Sequence, residues 1–205
     1  MIWGNHSLFG QSTPQTNVIQ SDKKQTVSFS YSPVSTYIIS LKQSFEKFEV
    51  VLGEFGVRGV GYKPYLVSGI FTVGYRHAIK ERLTVTLNLS YQQIGRKWDL
   101  YVDAYSPYYY TERFHFFQVV PEVRYDYVKR EHIALFLSAG IGVNYFYNIK
   151  SIYSDIIEPY TKTDLGFQIW ALGFEITPVN NLVVNIKPVG IGTIGFFEIG
   201  LGYRF

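Results

Sequence analysis

Apolar and polar residues alternate one by one along several stretches of this chain, and this alternation constrains the fold more than any other feature. Between Leu83 and Tyr91 every odd position is Leu, Val or Tyr, whereas every even position is Thr, Asn or Ser. Successive side chains of a β-strand point to opposite faces, so this segment has one apolar and one polar face. The same period recurs over residues 65–75, 133–147 and 197–205. The alternation therefore predicts an all-β fold.

Four further segments follow the same period less regularly and bring the predicted number of strands to eight. They cover residues 26–32, 113–127, 164–177 and 182–187. In the third of these segments, the polar residues Gln168 and Glu175 have opposite parity, so one face cannot hold both. The pattern indicates either a bulge near Gly173 or a solvated strand end at Gln168.

The links between the predicted strands differ in length. The short links cover residues 79–81, 129–131, 178–181 and the segment near 190–192. The longer links cover residues 33–64, 97–112 and 148–162. Short and long links that alternate are typical of an up-and-down antiparallel meander with its tight turns at one end.

Alternation by itself permits two kinds of barrel, which differ in the direction of the apolar face. In a soluble barrel the apolar side chains point inward, and in a membrane barrel they point outward to lipid. The polar face of this chain carries mainly Gly, Ser, Thr, Asn and Gln, with few Lys and Glu. A sheet face exposed to water usually carries more charge, so this composition favours a polar interior.

Aromatic residues bracket the apolar runs; they make up 18% of the chain, against 17% for charged residues. Tyr65 and Tyr75 lie ten residues apart on one face. At ~3.3 Å per residue and a tilt of about 45°, they span roughly 23 Å, close to the ~25 Å apolar band of a membrane barrel. Strands of about 13–16 residues also exceed the usual soluble length of about 5–6. We therefore predict an eight-stranded antiparallel up-and-down transmembrane β-barrel.

Lipid cannot hydrogen-bond an open sheet edge, so the last strand must pair with the first one near residues 26–32. The polar face then holds four basic and four acidic residues inside the barrel. They are Arg76, Arg124, Lys187 and Arg204 with Glu122, Asp126, Glu175 and Glu198. Because an unpaired buried charge is very costly, equal numbers of the two signs favour a filled, ion-paired interior. The alternative interpretations of this charge network are a gated path for protons or ions and a catalytic pair of carboxylates.

The end of the chain carries a more specific pattern, in which apolar and aromatic residues alternate up to the final Phe. Its members are Phe197, Ile199, Leu201, Tyr203 and Phe205. This pattern resembles the C-terminal assembly signal of bacterial outer-membrane β-barrels. Over about residues 26–205, the strand count and loop pattern resemble the small eight-stranded outer-membrane protein β-barrel superfamily.

This resemblance implies a bacterial outer-membrane location with both termini in the periplasm and the longer loops outside. It implies contact with outer-membrane lipids and lipopolysaccharide, and with the barrel assembly machinery during biogenesis. An envelope protein partner bound through the external loops is a further expectation. The superfamily contains structural barrels, adhesion-related barrels and lipid-modifying enzymes, so the resemblance does not select one activity.

Two segments fall outside the period of two. Residues 1–25 are predicted to be a flexible N-terminal segment, and the apolar stretch within residues 1–12 is interpreted as either a remnant of a secretion signal or a plain flexible end. Residues 35–53 show a helical stripe, which predicts a short amphipathic helix in the first external loop. The stripe consists of Ile38, Leu41, Phe45, Phe48 and Leu52. We expect it to pack over the barrel mouth or to contact a partner.

Signs of chemistry are sparse. The chain has no Cys and only four His, and we expect neither a metal nor a cofactor. A net charge of +3 does not indicate a nucleic acid partner. His115 with Ser106 is the only pair considered for an acyl-transfer site, and a predicted loop separates the two. We therefore expect a non-enzymatic barrel. The rival hypotheses are a lipid-modifying barrel enzyme and a soluble, ligand-carrying barrel.

Overall fold

The structure, a computed structural model, describes residues 25–33, 60–103, 106–152 and 155–205. These residues form eight antiparallel strands, each paired with its neighbours in chain order, in a closed ring. The strands are β1 (Gln25–Ser32), β2 (Val60–Lys80), β3 (Leu83–Asp103), β4 (Ser106–Lys129), β5 (Ile133–Ile152), β6 (Asp155–Val179), β7 (Leu182–Gly192) and β8 (Glu198–Arg204). The predicted eight-stranded up-and-down barrel is confirmed.

The first and last strands close the ring as the sequence predicts. The register of β1 with β8 runs from Thr26 opposite Arg204 to Tyr31 opposite Ile199. At the end of this seam, the Phe205 N–H donates to the Gln25 carbonyl at 3.0 Å. The backbone groups of the last strand are thereby paired, as a lipid environment requires.

The two faces of the sheet differ sharply in exposure. On β3, Leu87 and Leu89 point outward with 44% and 49% of their surface exposed, whereas Asn88 between them points inward and is 4% exposed. The same alternation runs around the ring, so the apolar face is the outer one and the polar face the inner one. A soluble barrel would have the opposite arrangement.

Two local irregularities explain why some residues do not follow the simple alternation of outward and inward side chains. The register of β2 with β3 shifts between Val67 and Ile70, where Gly69 has a φ of 70°. This shift turns Ile70 into the interior, where it is 3% exposed. On β6 the register with β7 shifts on both sides of Leu172, so the predicted bulge near Gly173 is confirmed. The alternative of a solvated strand end at Gln168 is wrong, because Gln168 is fully buried.

Pro121 lies in the middle of β4. Proline within a sheet is normally confined to edge strands, and a closed barrel has none. The pairing of β4 with β5 is interrupted at Val120 and Pro121 but continues unshifted on either side. Proline has no N–H and cannot donate to the ladder at this point. Gly142 faces this gap, and a Cβ there would lie 2.8 Å from the Val120 Cα. A glycine at this position therefore allows the two backbones to approach closely.

The predicted long links at residues 97–112 and 148–162 are mostly strand, so this part of the prediction is wrong. β3 continues to Asp103 and β4 begins at Ser106, while β5 continues to Ile152 and β6 begins at Asp155. On β6 the alternation fades because both faces meet water: residues 159–165 are all exposed. Backbone hydrogen bonds maintain a strand without an apolar face. The predicted helix, with Ile38, Leu41, Phe45, Phe48 and Leu52, lies outside the described residues.

The wall of the barrel has unequal heights. β1, β7 and β8 have 8, 11 and 7 residues, whereas β3 to β6 have 20 to 25 residues each. The pairing of β6 with β7 begins only at Gln168. Above that level, the described sheet consists of β2 to β6 and stands on one side of the ring.

Within the described ranges, no helix is long and apolar enough to cross a bilayer.

Candidate functional site

All eight charged residues of the predicted interior network point into the barrel, and the structure brings them together in two groups. The first group, which we name the arginine cluster, contains Arg76, Arg124, Arg204, Glu175 and Asp126. The second, the lysine cluster, contains Lys187, Glu122 and Glu198. Together these side chains come from β2, β4, β6, β7 and β8, so the two groups connect strands on all sides of the ring.

Glu175 on β6 is the centre of the arginine cluster. One carboxylate oxygen accepts from both Arg76 and Arg124, and the other accepts from Arg204 at 2.5 Å. The Arg124 Nε donates to Asp126 at 2.6 Å. Glu175 is 4% exposed and Arg124 is 2% exposed. Charge-assisted bonds of this kind offset the cost of removing both signs of charge from water.

The arginine cluster also rests on an aromatic ring that the sequence analysis did not place inside. The guanidinium of Arg124 lies 3.7 Å from the ring centroid of Phe136 on β5. Phe136 is fully buried. The glycine at position 173 leaves room for this ring, because a Cβ there would collide with it. A cation above an aromatic face gains about 0.5–2 kcal/mol, more when it is shielded from water.

The lysine cluster lies further from the short turns. The Lys187 Nζ is 2.9 Å from Glu198 and 3.8 Å from Glu122. The Asn88 Nδ2 donates to Glu122 at 3.2 Å. Lys187 also lies 5.1 Å from the ring centroid of the fully buried Trp170. The two clusters carry opposite net charges and balance each other when every group is ionised.

The far side of the interior is closed by the link between β7 and β8, residues 193–197. The Ile194 N–H donates to the Gln168 Oε1 at 2.8 Å, and the Gln168 Nε2 donates to the Gly195 carbonyl at 3.2 Å. Ile194 then packs with Ile70 and Trp170, and all three are buried. The sequence shows a short Gly-rich link here but carries no sign that it folds inward.

The interior of the described barrel contains little free space. The gap between the two charge clusters, lined by Ser28, Ser30 and Asn185 among others, has a volume of about 10 Å³. A cavity near that size holds about one water molecule. A second gap of about 10 Å³ lies beside Gln92 and Gln118. Side chains therefore fill the interior around the two charge clusters and beside Gln92 and Gln118.

The residue pair considered for acyl transfer does not form a site. His115 pairs with Gln93 on β3, whereas Ser106 begins β4 opposite Asp103. The two residues are nine positions apart along the extended strand, which is roughly 30 Å. The His115 Nδ1 contacts the Tyr91 hydroxyl at 2.9 Å. Within the part of the chain that the structure describes, no three His, Asp or Glu side chains gather as a metal site would require.

The five residues of the C-terminal pattern lie on the outside of the barrel. Phe197, Ile199, Leu201, Tyr203 and Phe205 are between 37% and 57% exposed. The Asn181 Nδ2 donates to the Tyr203 hydroxyl at 2.8 Å, and the rings of Tyr203 and Phe205 stack. The row therefore joins the apolar outer surface of the ring.

A closed hydrogen-bonded ring, an apolar exterior and an ion-paired polar interior define this protein as a transmembrane β-barrel of the outer-membrane type. The sequence matches no model of a known protein family, and no curated protein matches it.

Comparison with solved structures finds similar folds among small outer-membrane barrels. The attachment invasion locus protein Ail of Yersinia pestis is 13% identical, with a TM-score of 0.49, over 89% of this chain and 97% of that chain. The N-terminal β-barrel domain of Pseudomonas aeruginosa OprF is 12% identical, with a TM-score of 0.47, over 89% of this chain and 99% of that chain.

Proposed function

We propose that this protein is a non-enzymatic, integral outer-membrane barrel with a structural or recognition role, exercised through its external side. The observation that carries this proposal is the filled interior, where two ion-paired clusters and the inward link at residues 193–197 leave gaps of only about 10 Å³. A barrel filled in this way passes no solutes. Eight strands enclose just enough room for side chains.

The same filling argues against a lipid-modifying enzyme. Such an enzyme needs room for an acyl chain beside its catalytic groups, and ligand sites typically measure about 300–1,000 Å³. The two gaps inside the barrel, of about 10 Å³ each, are far smaller than such a site, and His115 and Ser106 lie nine positions apart along β4.

We therefore assign any recognition to the end of the barrel opposite the short turns, which we propose to be its external end. There β2 to β6 continue beyond the ring, and exposed residues of β6 such as Tyr160 and Lys162 present polar and aromatic groups. We propose lipopolysaccharide and an envelope protein as the partners of this side, with the protein acting alone or as an accessory subunit. Co-purification from native membranes in mild detergent tests for the protein partner.

Planar-bilayer recording tests the filled interior directly. The purified protein is expected to give no steady conductance at neutral pH, because the ion pairs around Glu175 and Lys187 occupy the path. An open porin inserted under identical conditions is the positive control. Large, steady currents from the purified protein would overturn the filled-core proposal and favour an ion path.

We further propose that the C-terminal pattern is used during assembly in the cell. The substitution Phe205→Ala is expected to reduce folded protein in the membrane severalfold, whereas the refolded purified variant keeps its stability to within about 1 kcal/mol. Phe29→Ala is the matched control, since Phe29 and Phe205 are 54% and 50% exposed on the same outer surface. Equal membrane levels for the two variants would count against an assembly signal.

A further inference from the structure

Two of the short turns form one basic surface at the end of the barrel. The turn between β2 and β3 carries Lys80 and Arg82, and the turn between β4 and β5 carries Lys129 and Arg130. All four side chains are exposed. Only Glu81 and Glu131 interrupt them, so the paired turns have an excess of positive charge. We name these two turns the basic turn pair.

Hydrogen bonds hold the two turns side by side. The Lys129 Nζ donates to the Glu81 carbonyl, and the Asp126 N–H donates to the Arg82 carbonyl at 2.9 Å. The second turn is itself closed by the Arg130 N–H, which donates to the Ile133 carbonyl at 2.8 Å. The four cations therefore belong to one continuous surface.

The lipid-facing residues next to the basic turn pair indicate its position relative to the bilayer. Ile79 and Ile133 are 55% and 49% exposed, and Tyr127 is 37% exposed. These apolar and aromatic residues border the turns directly in sequence and mark the edge of the apolar band. Cations placed immediately beyond that edge lie at the depth of the lipid phosphates.

Charged residues in a turn could serve only to keep that turn in water. The third short turn argues against this explanation, because it reaches the same rim without charged residues. Between β6 and β7 the chain has Pro178, Val179, Asn180 and Asn181, which carry no charge. Both kinds of turn lie at the same rim of the barrel. Among these three turns, the positive charge is therefore concentrated on the two that adjoin each other.

We propose that the basic turn pair binds the phosphate groups of anionic phospholipids in the leaflet next to the short turns. This inference rests on the membrane location proposed above and adds a specific lipid class and a specific sector. Phosphate oxygens accept charge-assisted hydrogen bonds from Arg and Lys, and the guanidinium of Arg can bind them in bidentate fashion. Bound lipid would hold this sector of the barrel at a fixed depth.

Spin-labelled lipids in nanodiscs measure this preference. The full-length protein is reconstituted in phosphatidylcholine with a trace of spin-labelled phosphatidylglycerol or spin-labelled phosphatidylcholine, and the immobilised fraction of each is compared. We expect a preference for phosphatidylglycerol of roughly fivefold at low salt. The preference should fall towards unity in 0.5 M NaCl, because salt screens exposed charges.

Two double variants of the same turns separate charge from shape. R82Q/R130Q is expected to lose most of the preference, whereas E81Q/E131Q is expected to increase it. Both variants introduce two glutamines at exposed turn positions, so a purely structural role would move the preference in the same direction in both. Lys129 is left unchanged because it joins the two turns.

Other outcomes would overturn the inference. A phosphatidylglycerol preference that is unchanged in R82Q/R130Q, or that survives high salt, would exclude the basic turn pair as its source. Polyglutamate that binds the protein through Arg82 and Arg130, without any lipid preference, would assign the turns to a soluble polyanion instead. If neither labelled lipid is immobilised, the protein is not embedded in the bilayer, and the proposed membrane function itself fails.

Discussion

Replacement of Glu175 by glutamine is expected to lower the free energy of unfolding by about 3–5 kcal/mol. Glutamine has nearly the same shape, but it removes the negative charge that three arginines share. Arg76, Arg124 and Arg204 would then remain inside the barrel with Asp126 as the acidic group of their cluster. The loss of one partner from a buried ion pair is costly because the remaining charge is left in a poorly solvating environment.

Urea-induced unfolding of the protein in lipid vesicles, followed by Trp fluorescence, measures this loss. Glu131→Gln provides the matched control, since Glu131 is 87% exposed and should change the free energy by less than about 0.5 kcal/mol. A loss below about 1 kcal/mol for Glu175→Gln would mean that the arginine cluster is hydrated and does not hold the ring together.

The substitution Leu89→Arg is expected to cost about 2–4 kcal/mol in a bilayer. Leu89 points outward from β3, in a row with Val73 and Val119 on the neighbouring strands. A guanidinium at this height would face the hydrocarbon of the lipid. Unfolding free energies measured in vesicles, together with the fraction of protein that inserts, report the effect.

Asn180→Arg is the control for Leu89→Arg, because it places the same side chain in an exposed turn. Surface changes of that kind usually stay within about 0.5 kcal/mol. The pair also tests whether the outer face of the barrel meets lipid. If the outward-pointing Leu89 met water instead, the two arginines would have similar, small effects.

The alternation of odd and even positions along each strand predicts correctly whether most side chains point outward or inward. The reason is that lipid requires apolar side chains, whereas the interior of this barrel accommodates polar ones. The prediction weakens where that contrast disappears. Beyond the apolar band, residues 159–165 of β6 are exposed on both faces and show no period of two, and the sequence predicts a link over residues 148–162 instead of a strand. Pairing with β5 continues regardless, since the backbone alone sustains it.

The partners within the interior network could not be predicted, although its members could. Parity places Glu175 inside the barrel, but its three arginines come from β2, β4 and β8. Which of them meet depends on the stagger between strands, and that is a property of the closed ring. Phe136 and Trp170 were missed for a related reason: their contacts with Arg124 and Lys187 also depend on which strands meet across the interior.

The unequal strand lengths give the protein a front and a back in the plane of the membrane. Among the described residues, β6 runs about 13 positions beyond its pairing with β7, which is roughly 30 Å along the normal at a tilt of about 45°. A neighbouring protein that approaches on the side of β4 meets the extended part of the sheet, which projects above the lipid. Within the described ranges, a neighbour that approaches over β7 and β8 meets the low wall instead, so lateral contacts with the described strands differ on the two sides.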